Sequence, residues 1–296
     1  MKISEISSKI ENSEVYREGS FETLGLSISK SGCKTLSFID SEKYVEAISK
    51  DISCVITTRE LADKFNGELG ILICDEPRVS FFKLHNELCG DINYTGVPKK
   101  TIIGDNCKIS KLASISDNNV VIGNNVVIEE FVVIRDNVVI GDNSILRAGV
   151  IIGGEGYECK REDDTIFTVK HAGGVVIGKD VEIQYNSCID KAVYPWDNTK
   201  VGDYCKIDNL VHLGHACKIG RETMLAANSL VGGRTVIGEK CWVGISTTIS
   251  NGLFIGDNVK MNIGSVVTRN VEDGASVTGN FAIEHSKFIN FIKSIR

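Results

Sequence analysis

The stretch "DNLVHLGHACKIG", Asp208 to Gly220, holds His212, His215 and Cys217 close together in a chain with five histidines in all. Imidazole is the side chain whose ordinary pKa lies nearest neutrality, which suits it to accept a proton. Two histidines with a thiol two places on also have the composition of a zinc site. Choosing between a base, a metal site and plain solvated surface requires knowing which way each side chain points.

The elements that must position these residues begin with size and charge. At 296 residues the chain is long enough for two domains. A formal charge of −6 argues against a general nucleic-acid binder, which carries a basic stripe. The stretch "MKISEISSKIENSEVY" lacks the apolar core of a signal peptide, and no apolar run approaches the ~20 residues that cross a bilayer. Ten cysteines without a leader read as reduced thiols. The expectation is a soluble, cytoplasmic protein with no membrane span.

Up to residue 98, strand-like runs alternate with amphipathic ones: "CKTLSFID" then "SEKYVEAISK", "ISCVITT" then "RELADKF", "LGILICD" then "EPRVSFFKLHNEL". This predicts a small α/β domain over residues 1–98, ending at the Gly/Pro-bearing link "GDINYTGVPKK". A six-residue period then takes over. Aliphatic anchors recur at Ile122, Ile128, Ile134, Ile140, Leu146 and Ile152, and again from Ile177 through Leu213, Leu225 and Val231 to Val267, broken only at Pro195. Such a hexapeptide period signals a parallel β-helix with coils of about 18 residues. The predicted fold is mainly β: the helix over residues 99–272, interrupted by a loop excursion at 153–174, and a tail at 273–296 with room for one amphipathic helix.

The period orients the cysteines. Four places after an anchor the side chain points inward and must be small. Cys107, Cys205, Cys217 and Cys241 hold that place, as do Thr223, Ser229 and Thr235 elsewhere. Cys217 is therefore core, turned away from His215, and no metal site is expected. His212 and His215 fall near corners. One coil above His215 stands Gly233, and seven residues back stands Asp208. A base, an orienting acid and an unobstructed backbone N–H make an acyl-transfer constellation.

At this point the sequence resembles the left-handed β-helix acyltransferases, and most of all the UDP-3-O-acylglucosamine N-acyltransferases of lipid A synthesis. "TLSFIDSEKY" resembles that family's uridine-binding domain, "GGEGYEC" its Gly-rich loop and "KIDNLVHLGHACKIG" its catalytic coil. The resemblance implies His215 as general base, Asp208 as the acid orienting it and the Gly233 N–H as oxyanion donor. It places Phe38 and Tyr44 at base-contacting positions, with Ser41 where the family has Asn. It also implies a homotrimer with a pantetheine arm along each intersubunit cleft. Small residues Ala226, Ala227, Gly232 and Gly244 would make room for that arm.

Departures include Gly252 where the family often has a second histidine, a longer "CIDKAVYPWDNTKVG", and the short tail. These point to an N-acyltransferase for another nucleotide-linked amino sugar of a surface glycan. Lipid A synthesis with an acyl-carrier protein donor is the alternative. Lys287, Lys293 and Arg296 form a small basic patch that favours acyl-CoA, with no tightly bound cofactor. A carbonic anhydrase relative would need three zinc histidines, and the gap from His171 to His212 disfavours that. Tyr157, Lys160 and Arg161 in the excursion are candidate substrate contacts, the plain alternative being a solvated loop. His85, His171 and His285 have no carboxylate partner in the sequence pattern and read as structural or exposed. Trp196 reads as a cap on the break in the repeat.

Overall fold

The computed structural model describes residues 1–65, 67–279, 282 and 284–295. Arg296, counted above in the basic patch, lies outside them.

The first unit is a five-stranded sheet of β1 (Glu14–Arg17), β2 (Thr23–Leu24), β3 (Thr35–Ile39), β4 (Ile52–Thr57) and β5 (Gly70–Ile73), in the order β1-β5-β4-β3-β2. All neighbours are parallel except the edge strand β1. Apolar runs such as "ISCVIT" follow from burial on both faces. One face packs Leu36, Cys54 and Ile56 against Phe81 and Phe82 of the helix Pro77–Leu88. The other packs Val55 and Ile71 against Leu61 and Phe65. The amphipathic "SEKYVEAISK" forms only a 3₁₀ turn at Glu42–Tyr44, and its Val45 and Ile48 lie on that second cluster.

The second unit is a triangular prism. Its strands run from Ile102–Ile103 to Ser276–Val277 in three parallel sheets of nine, eight and eight strands, so the last coil passes residue 272. The anchors from Ile122 to Val267 stack inside, each between 0% and 6% exposed. Corners turn through a residue of positive φ, often asparagine, as at Asn125 (58°), Asn143 (60°) and Asn258 (55°). Asparagine adopts that conformation more readily than other side chains do. With the relatives described below, this prism is a left-handed β-helix.

Two interruptions leave the prism and enter the first unit. Between Gly154 and Gly174 the chain makes an antiparallel hairpin, Cys159–Glu162 with Thr165–Thr168. Between Asp190 and Asn198 it makes a short bulge. Val169 from one, and Val193 and Tyr194 from the other, join the Phe81–Phe82 cluster. Trp196 donates its indole N–H to the Leu24 carbonyl at 2.8 Å and stacks on Tyr194. It therefore pins the two units together rather than capping the repeat. His85 is buried and satisfied: Nε2–H donates to the Lys170 carbonyl and Nδ1 meets the Tyr94 hydroxyl, both at 2.9 Å. The excursion is thus a packed element, not a solvated loop. A closing helix, His285–Ser294, carries Lys287 and Lys293. Among the described residues no helix is long and apolar enough to cross a membrane.

Candidate active site

His215 lies on the corner after Leu213, and the coil above repeats that corner as Val231, Gly232, Gly233 and Arg234. His215 and Gly233 are stacked: a Cβ on Gly233 would stand 2.6 Å from Nε2 of the imidazole. The φ of Gly233 lies outside the left-handed region, so the ring, not the backbone, demands glycine here. At matching corners elsewhere the N–H is taken by a carboxylate one coil up, as Asn124 is by Asp142 at 2.7 Å and Glu239 by Asp257 at 2.7 Å. The Gly233 N–H donates to no acceptor among the described residues. Unpaired backbone donors are uncommon, and this one belongs to the residue on which the imidazole stacks.

The carboxylate that reaches His215 is Glu158, whose Oε2 is 3.4 Å from Nε2. The same oxygen accepts from Arg234 at 3.0 Å, and Lys160 bonds the other. Burial alone would raise the Glu158 carboxyl, but Lys160 and Arg234 outweigh it and hold the group below its usual range. His215 is pushed down to about 4, mainly by burial and further by the Arg234 cation, with Glu158 opposing. It is therefore a neutral imidazole at pH 7. His171 packs edge-on against it at 5.6 Å between ring centres. Its Nδ1–H donates to the Val169 carbonyl at 3.1 Å, which leaves Nε2 as a buried lone pair without a partner among the described residues. Burial lowers His171 to about 4 as well.

Within one chain Asp208 does not reach His215. Seven residues is one side of the triangle, so Asp208 stands at the preceding corner, where its carboxylate accepts the N–H groups of Asn209 (2.7 Å) and Ala227 (3.0 Å). Ala226, Ala227 and Gly244 share that other corner, stacked above Asp208, while Gly232 lies on the His215 side. His212 faces Asp190, with 3.5 Å between Nε2 and Oδ2. Cys217 is core, fully buried. Cys188, beside Asp190, has its thiol pushed up to about 11 by burial and then by that carboxylate, which suits it poorly to attack an acyl group.

Toward the first unit the site opens into a cavity of about 270 Å³ lined by Phe38, Tyr44, Arg78, Phe82, Lys160 and Arg234, among others. Ser41 does not line it. The Arg78 guanidinium lies over the Phe38 ring at 5.4 Å and the Lys160 ammonium over Phe82 at 4.4 Å. Tyr157, 94% exposed, and Arg161, also exposed, are not among its lining residues. A larger hollow of about 780 Å³ beneath Glu42–Ser49 is lined by no histidine or cysteine. Glu158, Asp190 and His171 went unrecognised in the sequence because they lie on or beside the two interruptions, which upset coil counting; Arg234 went unrecognised because its partner Glu158 lies on one of them. Cys188 and His212 are ladder neighbours although the bulge separates them by more than one coil. The one available signal was the polar content of "GGEGYE".

This prism and its corners place the chain among left-handed β-helix proteins. The model for the bacterial transferase hexapeptide (six repeats) matches residues 119–154 and 198–233. Over those two stretches the chain carries the hexapeptide repeat. It is similar to UDP-3-O-acylglucosamine N-acyltransferase 2 of Legionella pneumophila, 42% identical over 71 residues, or 24% of this chain and 20% of that one. It is also similar to UDP-3-O-acylglucosamine N-acyltransferase 1 of Francisella tularensis, 47% identical over 66 residues, 22% of this chain and 18% of that one. The matched stretches span only about a fifth of these relatives' length. Among solved structures, the UDP-N-acetylglucosamine acyltransferase of Campylobacter jejuni shares the fold with a TM-score of 0.55 at 23% identity, covering 66% of this chain and 79% of that one. The Arabidopsis enzyme of the same name gives 0.52 at 21% identity, covering 61% and 68%.

Proposed function

We propose that the chain is an N-acyltransferase that moves an acyl group from a pantetheine thioester to the amine of a nucleotide-linked amino sugar. The observation that carries this reading is the neutral His215 imidazole stacked on Gly233, whose N–H is unpaired among the described residues. The amine nitrogen attacks the thioester carbonyl while Nε2 of His215 accepts its proton. The oxyanion is held by the Gly233 N–H. The imidazolium, steadied by Glu158, then protonates the departing thiolate, leaving an amide and a free thiol. Glu158 lies at Nε2 itself, so its part is to stabilise the imidazolium charge rather than to orient the ring from Nδ1 as Asp208 was expected to. Phe38, Arg78 and Phe82 would seat the nucleotide.

Among acceptors, the names of the relatives support UDP-acylglucosamine over a separate surface-glycan sugar. A homotrimer with a shared cleft belongs to the same proposal. The test is thiol release with UDP-, dTDP- and GDP-linked amino sugars, offered with acyl-CoA and with acyl-carrier protein. Release dependent on a nucleotide amino sugar supports the reading; none with any pair overturns it.

A further inference from the structure

Cys188 and Asp190 are two places apart on one strand, so both side chains leave the same face of the sheet. His212 is the ladder partner of Cys188 in the coil above. The Cys188 sulfur is 3.7 Å from Oδ1 of Asp190, and Nε2 of His212 is 3.5 Å from Oδ2. All three donor atoms lie within 4.8 Å of one another. Tetrahedral zinc bonds of about 2.0–2.3 Å require ligand atoms roughly 3.3–3.8 Å apart, so the spacing needs little adjustment.

The site also has an unmet need. The Asp190 side chain is 8% exposed, yet among the described residues its carboxylate receives only a weak thiol donor and the adjacent imidazole. Buried carboxylates are otherwise paired or metal-bound. Gly156 packs close beside it: an added Cβ there would stand 3.0 Å from Oδ2 of Asp190 and 3.1 Å from the buried Nε2 of His171, which has no partner among the described residues. His212, its side chain 43% exposed, gives a path from solvent.

We propose that Cys188, Asp190 and His212 bind a divalent cation of the zinc type, with a fourth position open toward solvent. Thiolate with imidazole selects such an ion over magnesium or calcium. The order of the groups excludes a cysteine nucleophile, because the carboxylate rather than the imidazole stands next to the thiol. The inference stands apart from acyl transfer and uses a different cysteine from Cys217.

The test titrates Co²⁺ into chelator-treated protein, following the thiolate-to-cobalt charge-transfer band, and measures Zn²⁺ by competition with a chromophoric chelator. One ion per chain is expected, with the band lost in Cys188→Ser and unchanged in Cys33→Ser. Asp190→Asn and His212→Gln should weaken zinc at least as much as the roughly 10–100-fold caused by losing an outer-shell partner. These two variants decide the matter if Cys188→Ser fails to fold by circular dichroism. Wild-type protein with no band and no competition overturns the proposal. So does Cys188→Ser, Asp190→Asn or His212→Gln binding zinc as tightly as wild type.

Discussion

The α-carbon of Gly233 and Nε2 of His215 approach so closely that no side chain fits between them. Gly233→Ala should push the ring aside while the backbone stays allowed. A misplacement of about 1 Å can cost roughly 10²-fold in rate. The expected result is a large fall in kcat with a modest change in melting temperature. Wild-type kcat in this variant would refute the stacking argument.

His215→Ala should lower kcat by about 10²–10⁴-fold, the usual contribution of a positioned base. KM should move little, since the interaction develops in the transition state. If His215→Ala keeps near-normal kcat at high pH, the base assignment fails.

The two carboxylates should separate cleanly. Glu158→Gln should reduce kcat, because Glu158 is the group beside His215. Asp208→Asn should act mainly on thermal stability, because Asp208 accepts two corner N–H groups. A larger kcat loss in Asp208→Asn than in Glu158→Gln would reverse these roles.

Stability should depend on pH through the buried imidazoles. His85, His171 and His215 are each pushed down to about 4, chiefly by burial. The unfolded chain takes up protons near 6.5 that the folded chain refuses until about 4. Stability therefore falls as pH drops from about 6.5 to about 4, and rises with pH across that window. Denaturant midpoints across that range measure it; a flat profile, identical in a His85→Phe variant, would contradict the burial argument.

Arg78→Ala or Phe38→Ala should raise KM for the nucleotide sugar with little change in kcat, since both line the cavity and neither contacts His215. Light scattering should give a mass near three times 32.3 kDa. A stable, active monomer would refute the shared cleft.

The prism was legible because its signal repeats: each anchor from Ile122 to Val267 sits in the core where the period put it. His215 and Gly233 were legible for the same reason, being one uninterrupted coil apart. Asp208 was misplaced by treating proximity in sequence as proximity at a corner. Glu158 and His171 lie on the hairpin excursion, whose docking depends on Val169, His85 and Lys170 rather than on any period. Side chains carried by departures from a repeat are invisible to the repeat.

Ladder spacing along the prism also sets an order of assembly. Above Lys200 each strand pairs with the next coil directly, Lys200 with Lys218, then Val236, then Phe254. Below it, Val138 pairs with Val175 only after the whole hairpin is gathered in, and Cys188 with His212 only after the bulge. Loop closure costs more as the enclosed chain lengthens, and contacts close in sequence form sooner. The uninterrupted coils on either side, above Lys200 and below Ile152, are thus the natural nuclei, from which the ladder zips toward the interruptions. The catalytic corner lies at the seam where that zipper meets the interruptions, and it is completed only when Val193 and Trp196 have docked on the first unit.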